Sequence, residues 1–268
     1  MATHAMTLRI AVPMPQETLP LIYRDDHMVV VDKPANLLVH PSEIDRRETR
    51  SAMMILRDQL GQWVWPAHRL DRPTSGLLVF ALDRDCAREL AMAFQEHRVR
   101  KEYLAIVRGH PPLGGIIRHA LTVKDDMGSR RNTDAEPQPA LTLYHRLAHA
   151  TADWAADKRY STSRYALVRC RPATGRRHQL RRHLKHISHP IIGDSSYGKG
   201  PHNRAFAEAF GESRLYLHAS DLWLNHPVTG APIALSAPPP DAFLRVAGAF
   251  GWGESAMIRH GQAHVTKE

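Results

Sequence analysis

The sequence is poor in the features that hold a chain in an oxidising compartment or in a lipid bilayer. Only two cysteines, Cys86 and Cys170, occur among its 268 residues, and neither belongs to a CxxC pair. They cannot form a disulfide framework, which favours a reducing, cytoplasmic location. No apolar run approaches the roughly 20 residues of a transmembrane helix. The first twenty residues contain three prolines and no apolar core of a secretory signal. We therefore expect no membrane partner.

Acidic residues are scarce relative to basic ones. Against 27 Asp and Glu there are 36 Lys and Arg, which gives a net charge of +9 at pH 7 and a pI of about 9.9. This balance favours a polyanionic partner, although many basic proteins bind no nucleic acid. Hydrophobic residues make up 43% of the chain. That share can bury a sizeable core, in one large domain or in two subdomains that share a cleft.

Predicted strands outnumber predicted helices and do not alternate evenly with them, which favours an α+β fold built on a mixed sheet. Apolar, β-branched runs predict strands at 21–26, 27–34, 77–83, 103–107, 164–170 and 215–227. The spacing of apolar residues predicts helices over 50–60, after an N-cap at Asp83, and around Leu180 and Leu184. Residues 195–213 are expected to form an inserted loop or a short helix.

The stretch HRLDRPTSG, residues 68–76, places Asp71 between Arg69 and Arg72 and follows it at once with a turn. The proline and the glycine of this motif predict a tight loop that presents the aspartate at the edge of a strand. Flanking arginines favour the ionised form of a carboxylate. Taken alone, the motif fits either a surface ion pair that holds a turn or an acid kept ionised for work on an acidic polymer.

The segment RCRPATGRRHQLRRHLKH, residues 169–186, contains seven Lys or Arg residues and no acid. Its leucines recur at helical spacing, so one stripe of a helix should be buried and the other faces left basic. The basic side chains predicted on those faces are Arg177, Arg181, Arg182 and Lys185. A helix that begins after Thr-Gly also leaves free amides, which attract phosphate. The segment is therefore a candidate phosphate-binding surface, with a solvated basic face as the alternative.

Two further patterns carry little chemistry by themselves. Tyr103, in RKEYLAIVRG, begins a predicted strand and is typical of a sheet tyrosine. Four histidines, at 178, 183, 186 and 189, lie close together in the basic segment, but only two pairs have helical i, i+3 spacing. No carboxylate or cysteine accompanies them. We therefore predict no metal site there.

Taken together, these segments resemble a known enzyme family. HRLDRPTSG, KEYLAIVRG and TGRRHQLRRHL with HPIIGD behind it occur in the order seen in pseudouridine synthases of the ribosomal-synthase-A (RluA) type. The early DDHMVVVDKPANLLVHP and the late RLYLHASDLWLNHPVTG are similar to the same family. The resemblance covers residues 20–252 and implies one catalytic domain with a mixed, largely antiparallel sheet. It also implies two subdomains with the catalytic cleft between them.

The resemblance sets the limits of the domain. A flexible arm over 1–19 and a flexible tail over 253–268 would flank the catalytic domain. Because the first predicted strand starts near residue 21, we expect no basic N-terminal RNA-binding domain of the kind that many relatives carry. Target choice would then depend on the catalytic domain and on its insertions. We expect a monomer with no obligate protein partner.

The resemblance also implies roles for single residues. Asp71 corresponds to the catalytic aspartate, and Tyr103 to the active-site tyrosine that packs on the target base. Arg176 corresponds to the basic residue that pairs with the aspartate. Arg69 corresponds to the arginine that fills the stack after the base has been flipped out. Arg72 and the basic helix would contact RNA.

The implied reaction is the isomerisation of uridine to pseudouridine in RNA, which needs no cofactor and no metal. The aspartate could add to C1′ or to C6, or remove a sugar proton. The Arg72-Pro73 form of the motif and FAEAFGESRLYLHAS resemble a tRNA-acting branch of the family. That likeness implies tRNA, at uridine 65, as the target, with ribosomal RNA as an alternative. Two alternative functions belong to other classes. The chain could be a non-catalytic RNA-binding module or RNA chaperone, or it could be a hydrolase that releases the base.

Overall fold

The computed structural model describes residues 17–41, 50–122, 136–157 and 159–253. Within these ranges the chain forms a sheet of ten strands and five helices, which confirms the α+β class. The elements of the first half are β1 (Leu21–Arg24), β2 (Met28–Lys33), α1 (Ala52–Leu60), β3 (Trp65–Pro66), β4 (Ser75–Ala81), α2 (Arg84–Gln95), β5 (Arg100–Arg108) and β6 (Gly114–Arg118). Those of the second half are β7 (Leu141–Ala152), β8 (Ser163–Pro172), α3 (Gln179–His186), α4 (Gly200–Phe210), β9 (Leu217–Asn225), β10 (Pro232–Ser236) and α5 (Asp241–Ala249).

The strands form one sheet in the order β1-β2-β4-β9-β5-β8-β7-β6, with β10 paired to β9 and β3 paired to β4. Among the described strands only β4 and β9 run parallel, and their register covers just two residue pairs, Ser75 with His218 and Gly76 with Ala219. This short parallel seam joins an N-terminal half sheet to a C-terminal half sheet. The loop that carries Asp71 enters the sheet at the seam.

The N-terminal half is covered on both faces because successive side chains of a strand point to opposite sides. One set of alternating residues packs with α1, and includes Val29, Val31, Leu78 and Phe80. The other set packs with α2, and includes Met28, Val30, Leu77, Val79 and Ala81. All seven residues of β4 are buried, as expected of a central strand with both faces covered. In the C-terminal half a third core gathers β5 and β8 with α3, α4 and α5.

Gly76 is the point of closest approach at the seam. Its φ is +110°, and a Cβ built there would lie 2.3 Å from the carbonyl oxygen of Ala219. Any side chain would therefore collide with the backbone of β9 and would also occupy a conformation that only glycine adopts easily. The glycine of HRLDRPTSG thus lets the two half sheets meet directly behind the Asp71 loop.

Most of the predicted elements are confirmed. The strand runs at 21–26 and 27–34 are β1 and β2, and Asp83 caps α2 by accepting a hydrogen bond of 2.7 Å from the N–H of Cys86. Residues 195–213 contain a helix, α4, of 11 residues. The segment 215–227 gives one strand, β9, which turns back at Val228–Gly230 into β10.

Two of the longer elements were not predicted. β7 is the longest strand, with 12 residues, but its sequence LTLYHRLAHATA has few β-branched residues and much of it is partly exposed. α5 follows three prolines and was not recognised behind them. Both elements take their structure from tertiary contacts, β7 by pairing with β6 and β8 and α5 by burying Phe243 and Val246.

The flexible N-terminal arm predicted for residues 1–19 does not extend to Leu19. Leu19 is only 3% exposed, its N–H donates to Gln59 Oε1 over 2.8 Å, and its carbonyl accepts from Gln59 Nε2. Residues 1–16 of that arm and residues 254–268 of the predicted tail lie outside the described residues. None of the described helices has the length and apolarity needed to cross a bilayer.

The seam gives a direct test. Gly76→Ala should lower the free energy of unfolding by about 3 kcal/mol or more, because the added Cβ meets the Ala219 backbone. Gly61→Ala is the matched control: Gly61 also has a positive φ, +67°, but nothing lies within 4 Å of its Cβ position. That variant should lose only about 1–2 kcal/mol. Urea unfolding of both variants measures the difference, and equal losses would contradict the close approach at the seam.

Candidate active site

A cavity of about 380 Å³ opens at the seam between the two half sheets. Its walls come from the loop between β3 and β4, the start of β5 and the segment that leads from β8 into α3. Five of the residues singled out from the sequence line it, namely Arg69, Asp71, Tyr103, Arg176 and Arg181. The structure therefore brings together three motifs that are far apart in the chain.

The Asp71 loop is held from behind by a buried lysine. Lys33, at the end of β2, has no exposed surface and donates to three carbonyl oxygens, those of Pro34 at 2.8 Å, Leu37 at 2.9 Å and Arg72 at 3.2 Å. Burial lowers the pKa of Lys33 to about 7, against the opposing effect of the Asp71 and Asp32 charges. Three acceptors nevertheless match the three N–H bonds of an ammonium group. A turn closed by the Thr74 N–H on the Asp71 carbonyl, at 2.9 Å, completes the loop.

Arg181 is the cationic partner of Asp71. Its Nη1 donates to Asp71 Oδ2 over 3.1 Å, while its Nε and Nη2 donate to the two oxygens of Asp194 over 2.8 and 2.9 Å. Arg181 is 4% exposed. Burial opposes its charge, but the two carboxylates outweigh that effect and raise the pKa of Arg181 above its usual value. Asp71 keeps 23% of its side chain exposed and so remains accessible from the cavity.

This geometry corrects two predictions. Arg176 does not pair with Asp71, because its Nε donates instead to the Pro139 carbonyl over 3.2 Å. Arg181 was predicted on an exposed, phosphate-binding face of the helix, but it points inward. The physical reason is the start of the helix: His178 has φ +52°, and the turn it makes directs Arg181, together with Leu180 and Leu184, towards the sheet.

Asp194 fixes the position of Arg181. Besides its bidentate bonds to that guanidinium, Asp194 accepts from the N–H groups of Ser196 and Tyr197 at 2.9 Å. Burial alone would raise the pKa of Asp194, but Arg181 and these amides lower it. The carboxylate is therefore a rigid anchor, and the guanidinium it holds has one nitrogen left for Asp71. Asp194 is the acid of HPIIGD, for which the sequence suggested no role.

Tyr103 lies at the floor of the cavity, on β5. Burial first, and the Asp71 charge second, raise the pKa of its phenol. The phenol is therefore protonated at neutral pH and can offer an apolar ring face and an O–H, but not a base. Its neighbour Glu102 is buried and bonds to Arg100 and Arg171, which ties β5 to β8 beside the cavity.

Two histidines line the cavity, and burial lowers the pKa of each. His68 Nε2 accepts from the Val79 N–H at 3.2 Å, and its ring stacks on Phe94 with a centroid distance of 4.3 Å. Burial lowers the pKa of His68, and the charge of Lys101 adds to this effect. His178 Nε2 lies 3.9 Å from Asp71 Oδ1, and burial also lowers its pKa.

The other basic residues predicted to bind RNA lie outside the cavity wall. Arg72 is exposed and donates from Nε to the Asn36 carbonyl, at 3.2 Å. Arg182 donates to the carbonyl and hydroxyl of Thr122, and Arg177 and Lys185 are exposed. Arg182 and Lys185 lie on α3 and Arg177 on the turn that leads into it, whereas Arg72 lies on the Asp71 loop. Among the described residues, no group of three His, Cys, Asp or Glu side chains is arranged to hold a metal ion.

Comparisons with known proteins identify the family of the chain. Residues 27–186, more than half of the chain, match the family model described as RNA pseudouridylate synthase. The chain belongs to the RNA pseudouridylate synthase family. It is therefore an enzyme, an isomerase that acts on RNA.

Curated relatives and solved structures extend this likeness to most of the chain. The chain is 48% identical to tRNA pseudouridine synthase C of Yersinia pestis, over 87% of this chain and 91% of that protein. It is 44% identical to the protein of that name from Vibrio cholerae, over 90% and 99% of the two. Human RNA Pseudouridylate Synthase Domain Containing 1 superposes with a TM-score of 0.65 at 29% identity, over 85% and 86%. These matches confirm the pseudouridine synthase fold.

The Arg181 geometry predicts a contrast between two arginines. Arg181→Lys keeps a charge but loses the fork that bonds both carboxylates. Pseudouridine formation should fall at least 100-fold, and the free energy of unfolding by about 3–5 kcal/mol, as when a buried pair is broken. Arg176→Lys, the matched control, disturbs only a bond to one carbonyl and should lose less than tenfold. Single-turnover rates and urea unfolding measure both. The reverse ranking would show that Arg176, not Arg181, supports the Asp71 carboxylate.

Proposed function

We propose that this enzyme converts uridine to pseudouridine in tRNA, at uridine 65, with Asp71 as the catalytic carboxylate. The observation that carries the proposal is that Asp71 is the acid of a cavity at a sheet seam, bonded on one oxygen to a buried guanidinium and accessible on the other side. Relatives at 44–48% identity are named tRNA pseudouridine synthase C, which supports tRNA as the substrate.

The reaction rearranges one nucleotide. The bond from C1′ to N1 breaks and a bond from C1′ to C5 forms, while a proton leaves C5 and a proton is gained at N1. Atoms and electrons balance without a redox partner. A carboxylate beside the ribose and the uracil can add to C1′ or C6, or remove a sugar proton, and each route starts from the ionised acid. Arg181 holds the Asp71 carboxylate in place and supplies a positive charge beside it, in a site from which the bound nucleotide excludes water.

The cavity suits one flipped nucleoside. Its volume of about 380 Å³ falls within the range of about 300–1,000 Å³ that small-ligand sites usually occupy. Tyr103 on its floor supplies an aromatic face on which the uracil can pack. Because the phenol is protonated, it can also donate a hydrogen bond to the substrate. We assign Tyr103 to positioning the base and Arg181 to holding Asp71, in place of Arg176.

A uridine in a stem must be unpaired and unstacked before it can enter the cavity, at a cost of a few kcal/mol. Arg69 is exposed and lines the cavity two residues before Asp71. Its long side chain can fill the gap that the base leaves, which offsets part of that cost. Asp71 and Arg69 would thus perform separate tasks on one loop.

The basic surface around α3 is assigned to the RNA backbone. Arg182 and Lys185 lie on its outer side, with Arg72 and Arg177 nearer the cavity. Arg176, which lines the cavity while bonded to a backbone carbonyl, can also contact the substrate. Binding by such cations depends strongly on salt. The proposed substrate places the reaction in the cytoplasm, where the enzyme would act as a monomer.

Asp71→Asn tests the catalytic assignment. The substitution keeps the shape of the side chain and removes its charge, so the variant should fold and bind tRNA while forming no pseudouridine. Mapping of pseudouridine in an unmodified tRNA transcript measures the product, and melting of the variant shows that it is folded. Substantial product from this variant would exclude Asp71 as the catalytic group.

The same assay distinguishes the proposed isomerase from the two alternative functions, a base-releasing hydrolase and a non-catalytic RNA-binding protein. Isomerisation leaves the mass of the RNA unchanged, whereas a base-releasing hydrolase lowers it. A non-catalytic RNA-binding module would bind the transcript and alter neither its mass nor its pseudouridine content.

The substrate assignment predicts both a target and a salt dependence. Unmodified tRNA should gain one pseudouridine at position 65, and a large-subunit ribosomal RNA transcript should gain none. Arg182→Ala with Lys185→Ala should flatten the plot of log affinity against log salt by about 1.5, the value expected for two lost phosphate contacts. The control pair Arg24→Ala with Arg84→Ala removes two exposed arginines elsewhere and should leave the slope unchanged. Modification of ribosomal RNA alone would overturn the tRNA assignment.

A further inference from the structure

A second cavity lies at the opposite end of β5 from the active site. It has a volume of about 560 Å³, and its walls include Arg108, Arg164 and His202. β5 runs from Tyr103 in the first cavity to Arg108 in the second, a distance of about 17 Å at 3.3 Å per residue. The two cavities are therefore separate sites.

His202, which lines this cavity, carries a buried nitrogen without a partner among the described residues. Arg108 Nε donates to His202 Nε2 over 3.1 Å. Because a guanidinium can only donate, His202 Nε2 must accept, and the ring proton must be on Nδ1. His202 is 9% exposed, and its Nδ1 is buried without a hydrogen-bond partner among the described residues. A buried donor without an acceptor is costly, so an acceptor bound beside it would stabilise this part of the structure.

Further charged donors surround this histidine. The guanidinium of Arg108 is held at Nε, and Arg164 is exposed at the start of β8. The acid that lines the cavity is Asp157, whose Oδ1 accepts from the Arg159 N–H at 2.9 Å. Two arginines and a histidine donor against one carboxylate leave the cavity positive. Such a donor set matches an oxyanion, and arginine forks suit phosphate in particular.

Two other histidines supply acceptors. His110 Nε2 faces the Ala150 carbonyl at 3.0 Å and His189 Nδ1 faces the Arg108 carbonyl at 2.9 Å. Each of these nitrogens must donate to its carbonyl, and the second nitrogen of an unprotonated imidazole accepts. Tyr160, 58% exposed, lines the same cavity with its aromatic ring. A ligand that carries a phosphate, hydroxyl donors and a flat base satisfies all three features.

The wall of this cavity is tightly built at Gly109. Its φ is +82°, and a Cβ there would lie 2.9 Å from His189 Nδ1. The missing side chain lets His189 reach the Arg108 carbonyl, and the Gly109 N–H donates to the Arg164 carbonyl over 2.7 Å. Both arginines of the cavity are thus fixed at the backbone by the same glycine.

We propose that this second cavity binds a phosphate-bearing nucleotide, either free or as one residue of an RNA chain. His202, Arg108 and Arg164 bind the phosphate, and the acceptor histidines and Tyr160 contact the sugar and the base. The site is distinct from the active-site cavity and does not depend on the tRNA assignment.

Isothermal titration calorimetry with the full chain tests whether the second cavity binds a free nucleotide. AMP, inorganic phosphate and adenosine are the probes, since none of them carries the uracil that the active site takes. AMP and phosphate should bind, and adenosine at least tenfold more weakly than AMP. Arg164→Gln should weaken AMP binding about tenfold, the loss expected for a charge-assisted hydrogen bond. Asp157→Asn keeps the bond to the Arg159 N–H and removes the opposing charge, so it should tighten AMP binding several-fold.

The control is Arg24→Gln, an exposed strand arginine at the other edge of the sheet, which should leave AMP binding unchanged. Histidine-selective ¹⁵N spectra give a second readout. The His202 signal, assigned with His202→Phe, should report a protonated Nδ1 that shifts when AMP is added. An unshifted His202 signal at saturating AMP, or a loss of affinity in Asp157→Asn, would overturn the proposed site.

Kinetics of the same variants with the tRNA transcript test whether the bound nucleotide is part of an RNA chain. If the phosphate belongs to RNA, Arg164→Gln should raise the KM for tRNA and Asp157→Asn should lower it, with kcat nearly constant, and free AMP should bind weakly. If AMP binds and the KM for tRNA does not move, the ligand is a free nucleotide. If neither AMP binding nor the KM responds to Arg164→Gln, the site does not exist. Because wild-type turnover is measured in parallel, such a failure is distinct from a failure of the tRNA assignment.

Discussion

The buried guanidinium of Arg181 is the contact on which the site depends. Asp194 accepts hydrogen bonds from two of its nitrogens, at 2.8 and 2.9 Å. These two nitrogens are therefore not available to Asp71. Only a single bond of 3.1 Å then reaches the Asp71 carboxylate. Without Asp194, Arg181 could close on Asp71 in a bidentate pair and cover both oxygens. Asp194 therefore keeps the charge of Arg181 beside Asp71 and leaves part of that carboxylate exposed to the cavity.

This arrangement requires the relative position of the two half sheets to be closely fixed. Asp71 comes from the N-terminal half, whereas Arg181 and Asp194 come from the C-terminal half, and only two residue pairs of β4 and β9 connect the strands at the seam. Gly76 permits the close contact there. Lys33 links the Asp71 loop, through the Arg72 carbonyl, to the carbonyls of Pro34 and Leu37. A shift of either half would change the 3.1 Å bond between Asp71 and Arg181, because that bond joins side chains from the two halves.

The sequence predicted the class of fold, most elements and the loop of Asp71, because those depend on local signals such as alternation, caps and turns. It did not predict β7, whose polar residues become a strand only by pairing on both sides. It also assigned the wrong arginine to Asp71. Motif spacing shows that arginines follow the Thr-Gly, but the direction in which each points depends on the left-handed turn at His178. Lys33 and Asp194 had no recognisable signal, since their roles exist only across the fold.

The basic segment at 169–186 shows why charge density in a sequence overstates the surface available to RNA. Arg171 is paired with Glu102, Arg176 with a backbone carbonyl, and Arg181 with Asp194. A cation already bonded within the protein gains less from a phosphate than a solvated one, because it must give up a partner. Only part of the segment can therefore contribute to salt-dependent binding of the RNA substrate. The remaining contacts have to come from other parts of the surface, so recognition of a folded RNA must be spread over more than α3.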